Sequence, residues 1–339
     1  MLKKIRRWAA IAVINLAVFG ILLDAFVGIF FVFPAWVRIL PAGVAGTVRQ
    51  VYAHARHTIQ LDPGQSIVDR ELLYRLRPGT FTFANREFST PFAVNSLGVR
   101  DSEDALRRPD VVVAGDSFAM GWGVEQDETF PKVLERSTGL RVLNTGISSY
   151  GTARELTLLG RVDTSHMKYL VIQYDDNDLP ENRAFIANGY RLATGDLDDF
   201  ERLRQAEPGR ARYLPFKYAL GFLDAGLFRL RQRHAAPADA VHADAFLQVL
   251  ANGRWALGST QIIVLDLSER VTDTRGFAAA LRAGAARRDG PPFVTQMKVV
   301  DVSGVLDARM FYDLDGHLRA DGHRAVAALL QRVISDAVH

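Results

Sequence analysis

The sequence predicts an α/β fold: a central, mostly parallel five-stranded sheet with helices on both faces, behind an N-terminal transmembrane helix. Three observations predict it. Residues 8–33 are almost wholly apolar and follow a basic cluster. Short β-branched runs recur at 111–113, 142–143, 170–172, 262–265 and 299–302. Helical patterns stand between most of them, at 131–137, 245–257 and 277–287. Strands alternating with helices read as a parallel sheet covered on both sides.

The N-terminal segment comes first. Lys3, Lys4, Arg6 and Arg7 precede an apolar stretch broken only by Asn15 and Asp24 and ended by Pro34. A bilayer core takes roughly 20 apolar residues as a helix. The basic cluster places the N-terminus in the cytoplasm and the rest of the chain outside. A signal peptide is the competing reading, but its apolar region is shorter and no small-x-small site follows promptly. Asp24, 16 residues after Trp8, is expected near the outer interface, its carboxylate snorkelling toward water. The expected location is a bacterial inner membrane, crossed once, with the main body in the periplasm.

Three segments follow from this: an anchor over 1–34, a connecting region over 35–105, and a catalytic domain over 106–339 with an insertion at 182–240. In the connecting region Phe81, Phe83, Phe88, Phe92 and Val94 alternate around Ala84-Asn85-Arg86, which reads as a β-hairpin. The insertion separates the third and fourth strands by some 90 residues, more than one crossover helix needs. Residues 213–231 within it form an amphipathic pattern, expected to pack on the core; a lid over the site is the alternative. The last helix, 320–338, carries Ala325, Leu329, Leu330 and Ile334 at helical spacing.

Composition narrows the function. The 339 residues are 48% hydrophobic and 23% charged, as in globular domains, and contain no cysteine. That excludes disulfides, thiolate metal sites and a cysteine nucleophile. The isoelectric point is near 9.2, yet with the four N-terminal basic residues set aside, acids and bases balance to within one. The body offers no electrostatic footprint for nucleic acid.

In an open parallel sheet, ligands bind beyond the carboxyl ends of the strands. The first strand is followed by Gly115-Asp116-Ser117-Phe118 and the second by Asn144-Thr145-Gly146-Ile147-Ser148-Ser149. The third is followed by Asp175-Asp176-Asn177-Asp178, and the last by Asp313-Leu314-Asp315-Gly316-His317. A serine hydroxyl attacks only when a base takes its proton, and an imidazole titrates in the right range to do so. A carboxylate holds that imidazole in the productive tautomer. The expected triad is Ser117, His317 and Asp315, with Asp313 as the alternative acid. The Ser117 N–H at a helix start and the Asn177 amide are expected oxyanion donors. Asp116 is expected to cap the helix after it, and His323 to be structural. Trp122 reads equally as pocket lining or core. Asp175, Asp176 and Asp178 are expected to cap and orient Asn177, with no metal assigned.

These blocks resemble the SGNH/GDSL hydrolase superfamily, which carries a serine, a glycine, an asparagine and a histidine in this order. Gly115-Asp116-Ser117-Phe118 looks like the first block, Asn177-Asp178 the third and Asp315-Gly316-His317-Leu318 the last. Residues 111–135, with Gly121-Trp122-Gly123 and Thr129-Phe130-Pro131, are similar to a bacterial subgroup with an N-terminal membrane helix, as is the preceding Asn95-Ser96-Leu97-Gly98-Val99-Arg100. The resemblance implies a three-layer α/β/α, flavodoxin-like fold, no required cofactor or metal, and ester cleavage or acyl transfer. The implied substrate is an acylated small molecule or glycan. Three positions depart from the pattern. Ser149 stands where the second block has glycine, but keeps the backbone N–H that serves as oxyanion donor. Leu314 stands three residues before the histidine, where many members place the acid; the two-residue spacing of Asp315 resembles polysaccharide O-acetyltransferases. Arg319 replaces a frequent asparagine. Beside an esterase, two other functions fit: an O-acyltransferase acting on an envelope or secreted glycan, and a non-catalytic envelope scaffold.

Overall fold

A computed structural model describes residues 2–192, 197–210, 212–232, 238–268, 276–287 and 291–336. Parts of the insertion and the last two residues of the expected terminal helix lie outside these. In chain order, α1 (Leu2–Val32) and α2 (Ala42–Ala55) precede two antiparallel hairpins. These are β1 (Ser66–Asp69) with β2 (Leu73–Leu76), and β3 (Gly79–Asn85) with β4 (Phe88–Val94). Then come β5 (Val111–Ala114), α3 (Ser117–Met120), α4 (Phe130–Thr138), β6 (Val142–Asn144), α5 (Thr152–Leu159), β7 (Tyr169–Tyr174) and α6 (Asp178–Ala187). The insertion supplies α7 (Leu197–Arg210) and α8 (Lys217–Gln232). The remainder is α9 (Asp239–Asn252), β8 (Gln261–Asp266), α10 (Gly276–Ala286), α11 (Pro292–Thr295), β9 (Lys298–Asp301) and α12 (Ala320–Ser335).

The chain divides into two compact units. The first comprises 1–57, 208–236 and 313–315. Its α1 is the one helix among the described residues long and apolar enough to cross a membrane; it ends where Phe33-Pro34 turns the backbone. The unit's core gathers Val27, Phe30 and Phe31 of α1, Val48, Val51 and Tyr52 of α2, and Ala225 of α8. The amphipathic helix expected at 213–231 packs on α1 and α2, in the core of this unit. Its α8 begins only at Lys217, after Pro215.

The second unit holds the five-stranded sheet, ordered β6-β5-β7-β8-β9, with every neighbouring pair parallel. In order of appearance this is 2-1-3-4-5, the flavodoxin-like arrangement, whose ligand crevice lies at the carboxyl ends of its first and third strands. The strands read as continuous apolar runs because both faces are buried. Val112, Ala114, Leu170, Ile172, Ile262 and Val264 point into one core with α5, α9 and α10. Val111, Val113, Val171, Ile263 and Leu265 point into the other with α4 and α12. Two cores on opposite faces of one sheet make three layers, α/β/α.

Local signals set the element ends. Pro131 stands in the first turn of α4, and Gly139, at φ +71°, closes it in the left-handed region. The helix expected at 245–257 begins earlier, at Asp239, and stops at Asn252 before Gly253. Trp255 and Leu257 pack from the loop beyond it. The hairpin of β3 and β4 pairs Asn85 with Phe88, which puts its turn at Arg86-Glu87, one residue later than the sequence pattern implied.

Candidate active site

The turn between β5 and α3 admits only glycine at its first position. A Cβ on Gly115 falls 2.6 Å from the Gln173 side-chain oxygen and 2.7 Å from the Ala119 Cβ. Asp116 caps α3 as expected, its Oδ1 accepting the Phe118 N–H at 2.9 Å. The Asp116 N–H donates to Gln173 Oε1 at 3.0 Å, and the Gln173 amide donates to the Leu267 carbonyl at 3.0 Å. The turn is thus fastened to the ends of β7 and β8. Behind α3, the buried Arg100 donates to the carbonyls of Gly121 (2.6 Å), Val124 (2.8 Å) and Pro91 (3.2 Å). Burial draws its guanidinium down to about 9.

Ser117 opens α3 with 7% of its surface exposed. His317 approaches from a loop closed by the antiparallel bridge of Phe311 with Leu318 and by the Tyr312 N–H donating to the His317 carbonyl at 2.9 Å. His317 Nε2 lies 2.7 Å from Ser117 Oγ, across 200 residues of sequence. Trp122 stacks on the imidazole, with ring centroids 4.8 Å and planes 15° apart. Phe118 lies against it at 4.9 Å. Trp122 is buried and meets Phe83 edge-on at 4.6 Å, so it packs in the core and holds the imidazole. Arg319, where the family pattern has asparagine, donates to the Phe311 carbonyl at 2.9 Å and lies over the Tyr312 ring; it braces the same loop.

The second and third loops serve different ends. Asn144 lies beneath α3: its amide donates to the Ala119 carbonyl at 2.8 Å and its Oδ1 accepts the Gly146 N–H at 2.9 Å. Gly146 presses on α3, where a Cβ would come 2.4 Å from the Met120 nitrogen. Ser149 takes φ +62°, the left-handed backbone that glycine adopts freely. Its hydroxyl accepts from the Gln60 amide at 2.8 Å. The Asn177 amide nitrogen donates to Asp116 Oδ2 at 2.9 Å and Asp175 Oδ2 at 3.1 Å.

Only one of the three acids around Asn177 orients it. Asp178 turns inward to the Thr152 hydroxyl at 2.6 Å and the Thr152 N–H at 3.2 Å. The Asp176 carboxylate lies 3.6 Å from His242. Among the described residues, no group of three or more metal-ligating side chains is arranged to hold an ion. His323 is buried and its Nδ1 accepts the Phe130 N–H at 3.1 Å, a structural role.

No family model matches this chain, and no curated protein matches it. Solved structures do. One is a member of the lipolytic protein G-D-S-L family from Veillonella parvula, 11% identical, covering 66% of this chain and 97% of that one at a TM-score of 0.34. Another is a carbohydrate acetylesterase family member from Sinorhizobium meliloti, 17% identical over 66% and 96%, TM-score 0.34. A third is the aryl esterase of M. smegmatis, 14% identical over 67% and 98%, TM-score 0.36.

The acids of the last block belong to the first unit. Asp315 is 2% exposed and its Oδ1 accepts from Arg56 at 2.5 Å, while its carbonyl accepts from the same guanidinium at 3.2 Å. Asp313 takes a two-pronged contact from Arg38, at 2.5 and 3.0 Å, and its carbonyl accepts from Arg49 at 2.8 Å. None of these arginines stands out in the sequence. Arg49 and Arg56, seven residues apart at two turns of one helical face, were the one available signal. Gln60 and Gln173 carried none, being single polar residues outside any motif.

Burial dominates the electrostatics around Ser117. It pushes the Asp116 carboxyl above the ordinary carboxylate range, against the opposing pull of the Phe118 N–H, the Asn177 amide and the His317 ring. A carboxylate fixed by two donors in this setting gives charge on the imidazole a nearby counter-ion.

Proposed function

We propose that this chain is a serine-dependent ester hydrolase of the SGNH/GDSL type, working through an acyl-enzyme. The observation that carries the proposal is the 2.7 Å separation of Ser117 Oγ and His317 Nε2. An uncharged imidazole at that distance takes the hydroxyl proton as Oγ attacks an ester carbonyl. The electron pair of the carbonyl moves to oxygen. The N–H groups of Ser117 and Ser149 receive that oxyanion, with the Asn177 amide turning one hydrogen toward it from a carboxylate. His317 then gives the proton to the departing alcohol. Water, deprotonated by the same nitrogen, attacks the acyl group and releases the acid and free Ser117. Asp315, two residues before His317 in the chain, holds the imidazole in the tautomer with Nε2 free.

In this reading residues 1–34 are a single-pass anchor in a bacterial inner membrane, with the N-terminus in the cytoplasm, as the basic residues before α1 favour. Residues 35–105 connect it to a catalytic domain over 106–339 in the periplasm, interrupted by 182–240. The substrate is an O-acyl or O-acetyl ester on an envelope or secreted carbohydrate or lipid. The spacing of Asp315 and His317 favours a second reading, in which a sugar hydroxyl replaces water.

The test uses the full chain in detergent. A fluorophosphonate probe should label wild type and leave Ser117→Ala unlabelled. Equal labelling of both, or none of wild type, would leave a scaffold. An acetyl ester should be hydrolysed at a rate independent of added glycan. Acyl transfer to the glycan at the expense of hydrolysis would make the chain a transferase.

A further inference from the structure

Asp24 interrupts the apolar run of α1, yet its side chain is not turned to water. It is 5% exposed and accepts the Tyr218 N–H at 2.8 Å, the Ala219 N–H at 3.0 Å and the Tyr213 hydroxyl at 2.5 Å. The snorkelling carboxylate expected from the sequence is instead an N-terminal cap for α8, supplied by another helix. The two helices run side by side from there. Gly20 faces the Phe216 ring so closely that a Cβ would stand 2.8 Å from it, and Gly28 lies against Tyr218. Phe26 meets Phe222 edge-on at 6.4 Å. Phe216, then Tyr218 and Ala219, then Phe222 meet α1 at Gly20, Asp24 and Phe26, while the Tyr218 ring reaches on to Gly28 and Phe31. Small residues at the seam are the means by which membrane helices approach closely.

The surface of α8 has three faces. Ala219, Phe222 and Ala225 face α1 and α2. Lys217, Asp224 and Phe228 line a cleft of about 420 Å³ with Gln50 and His54 of α2. The third face is a stripe of leucines, Leu220, Leu223 and Leu227, which are 65%, 48% and 55% exposed. Beyond residue 39, six of the nine exposed large apolar side chains among the described residues fall within 213–228. They continue the exposed apolar surface of α1, where Ile21 and Leu22 are 57% and 64% exposed.

Depth along α1 says what covers them. With Trp8 at the inner edge of the hydrocarbon, Asp24 lies about 24 Å along the helix at ~1.5 Å per residue. The hydrocarbon layer is about 30 Å thick. A bare carboxylate there is costly; one that accepts two hydrogen bonds from α8 and one from Tyr213 before it is not bare. Counted on from Tyr218 at the level of Asp24, Leu220 falls at about 27 Å, inside the layer, Leu223 at about 31 Å, at its outer edge, and Leu227 and Arg229 at the level of the headgroups.

We propose that α8 is a second membrane element, seated by its N-terminal half in the outer leaflet beside α1, with Leu220 and Leu223 against phospholipid acyl chains and Leu227 at the headgroups. This rests on the reading of α1 as an anchor. The chain has no cysteine, so single variants can be labelled cleanly. Leu220→Cys, Leu223→Cys and Leu227→Cys, with Leu22→Cys on α1 and Arg136→Cys at an exposed position of α4, would each carry a nitrobenzoxadiazole label. The labelled full chain is placed in phosphatidylcholine–phosphatidylglycerol vesicles containing lipids brominated at set acyl depths. The Leu22, Leu220 and Leu223 labels should be quenched severalfold, Leu220 by deeper bromines than Leu223, and Leu227 less than either, with Arg136 unaffected. Quenching at Leu22 alone would overturn the proposal and leave the anchor standing. Blue-shifted but unquenched α8 labels would also overturn it, showing a protein on that face. No quenching at Leu22 would remove the anchor and this proposal together. Fluorophosphonate labelling in the same vesicles reports on the esterase reading and on folding separately.

Discussion

The indole of Trp122 lies flat on the imidazole of His317, with planes 15° apart. Trp122 sits just past the end of α3, whose first residue is Ser117, so a single short turn positions both the nucleophile and one wall of its base. The indole fixes the ring plane that points Nε2 at Oγ.

Trp122→Ala would empty a core position at a stability cost of about 3–5 kcal/mol, so Trp122→Phe is the informative change. It keeps an aromatic wall with less overlap. The expected result is a fall of about tenfold in kcat/KM, equivalent to ~1.4 kcal/mol in the transition state. The unfolding temperature should change little. An unaltered rate of fluorophosphonate labelling would show that the stack serves packing alone.

Asp313 and Asp315 are both held by arginines, but only Asp315 is proposed to hold His317. Asp315→Asn should lower kcat by roughly 10⁴, the scale seen when a triad carboxylate is neutralised. Asp313→Asn should stay within about tenfold, equal to ~1.4 kcal/mol. Asp315→Asn also removes the negative charge that Arg56 faces, so unfolding is followed in parallel. The reverse ranking of the two variants would move the acid to Asp313.

The parts of the molecule legible in the sequence are those written locally. A strand buried on both faces must be apolar at every position, so 111–113 and 262–265 announce themselves. The serine, asparagine and histidine blocks lie at strand ends, where a parallel sheet gathers its loops. Pairings at long separation leave no periodicity to find. Asp24 with Tyr218, Arg56 with Asp315 and Gln60 with Ser149 are of that kind. The expectation of α9 at 245–257, later than its place at Asp239–Asn252, has a local cause. The apolar pattern runs on through Trp255, whose indole N–H returns to the Val249 carbonyl at 3.0 Å from beyond the helix end. Gly253 was the stop signal, outweighed by the residues after it.

Ser149 bears a backbone that side chains resist, at a cost of about 1–2 kcal/mol. Ser149→Gly relieves this, but gives the unfolded chain more freedom, worth ~0.5–1 kcal/mol. It also forfeits the Gln60 contact. The expected sum is a stability within about 1 kcal/mol of wild type, with esterase activity retained. Ser149→Val places a β-branched side chain at φ +62°. It should lower the unfolding temperature and, by shifting the N–H proposed as oxyanion donor, cut kcat by about a hundredfold. Activity indifferent to both changes would remove this loop from the oxyanion site.

His323 gives the protein a pH dependence whose sign is fixed. Burial, with smaller contributions from Arg100 and the His317 ring, lowers its pKa to about 3. In the unfolded chain it titrates near 6.5. Between those values only the unfolded state binds the proton, so stability falls as the pH drops through 6.5, by ~1.4 kcal/mol per unit. At pH 5 the loss is about 2 kcal/mol, or roughly 4–8 °C for a domain of this size. His323→Asn keeps an acceptor where Nδ1 receives the Phe130 N–H but has no proton to gain. Thermal unfolding at pH 7 and pH 5 should show a smaller drop in the variant than in wild type. Equal drops would assign the acid sensitivity to other groups, such as the buried carboxyls.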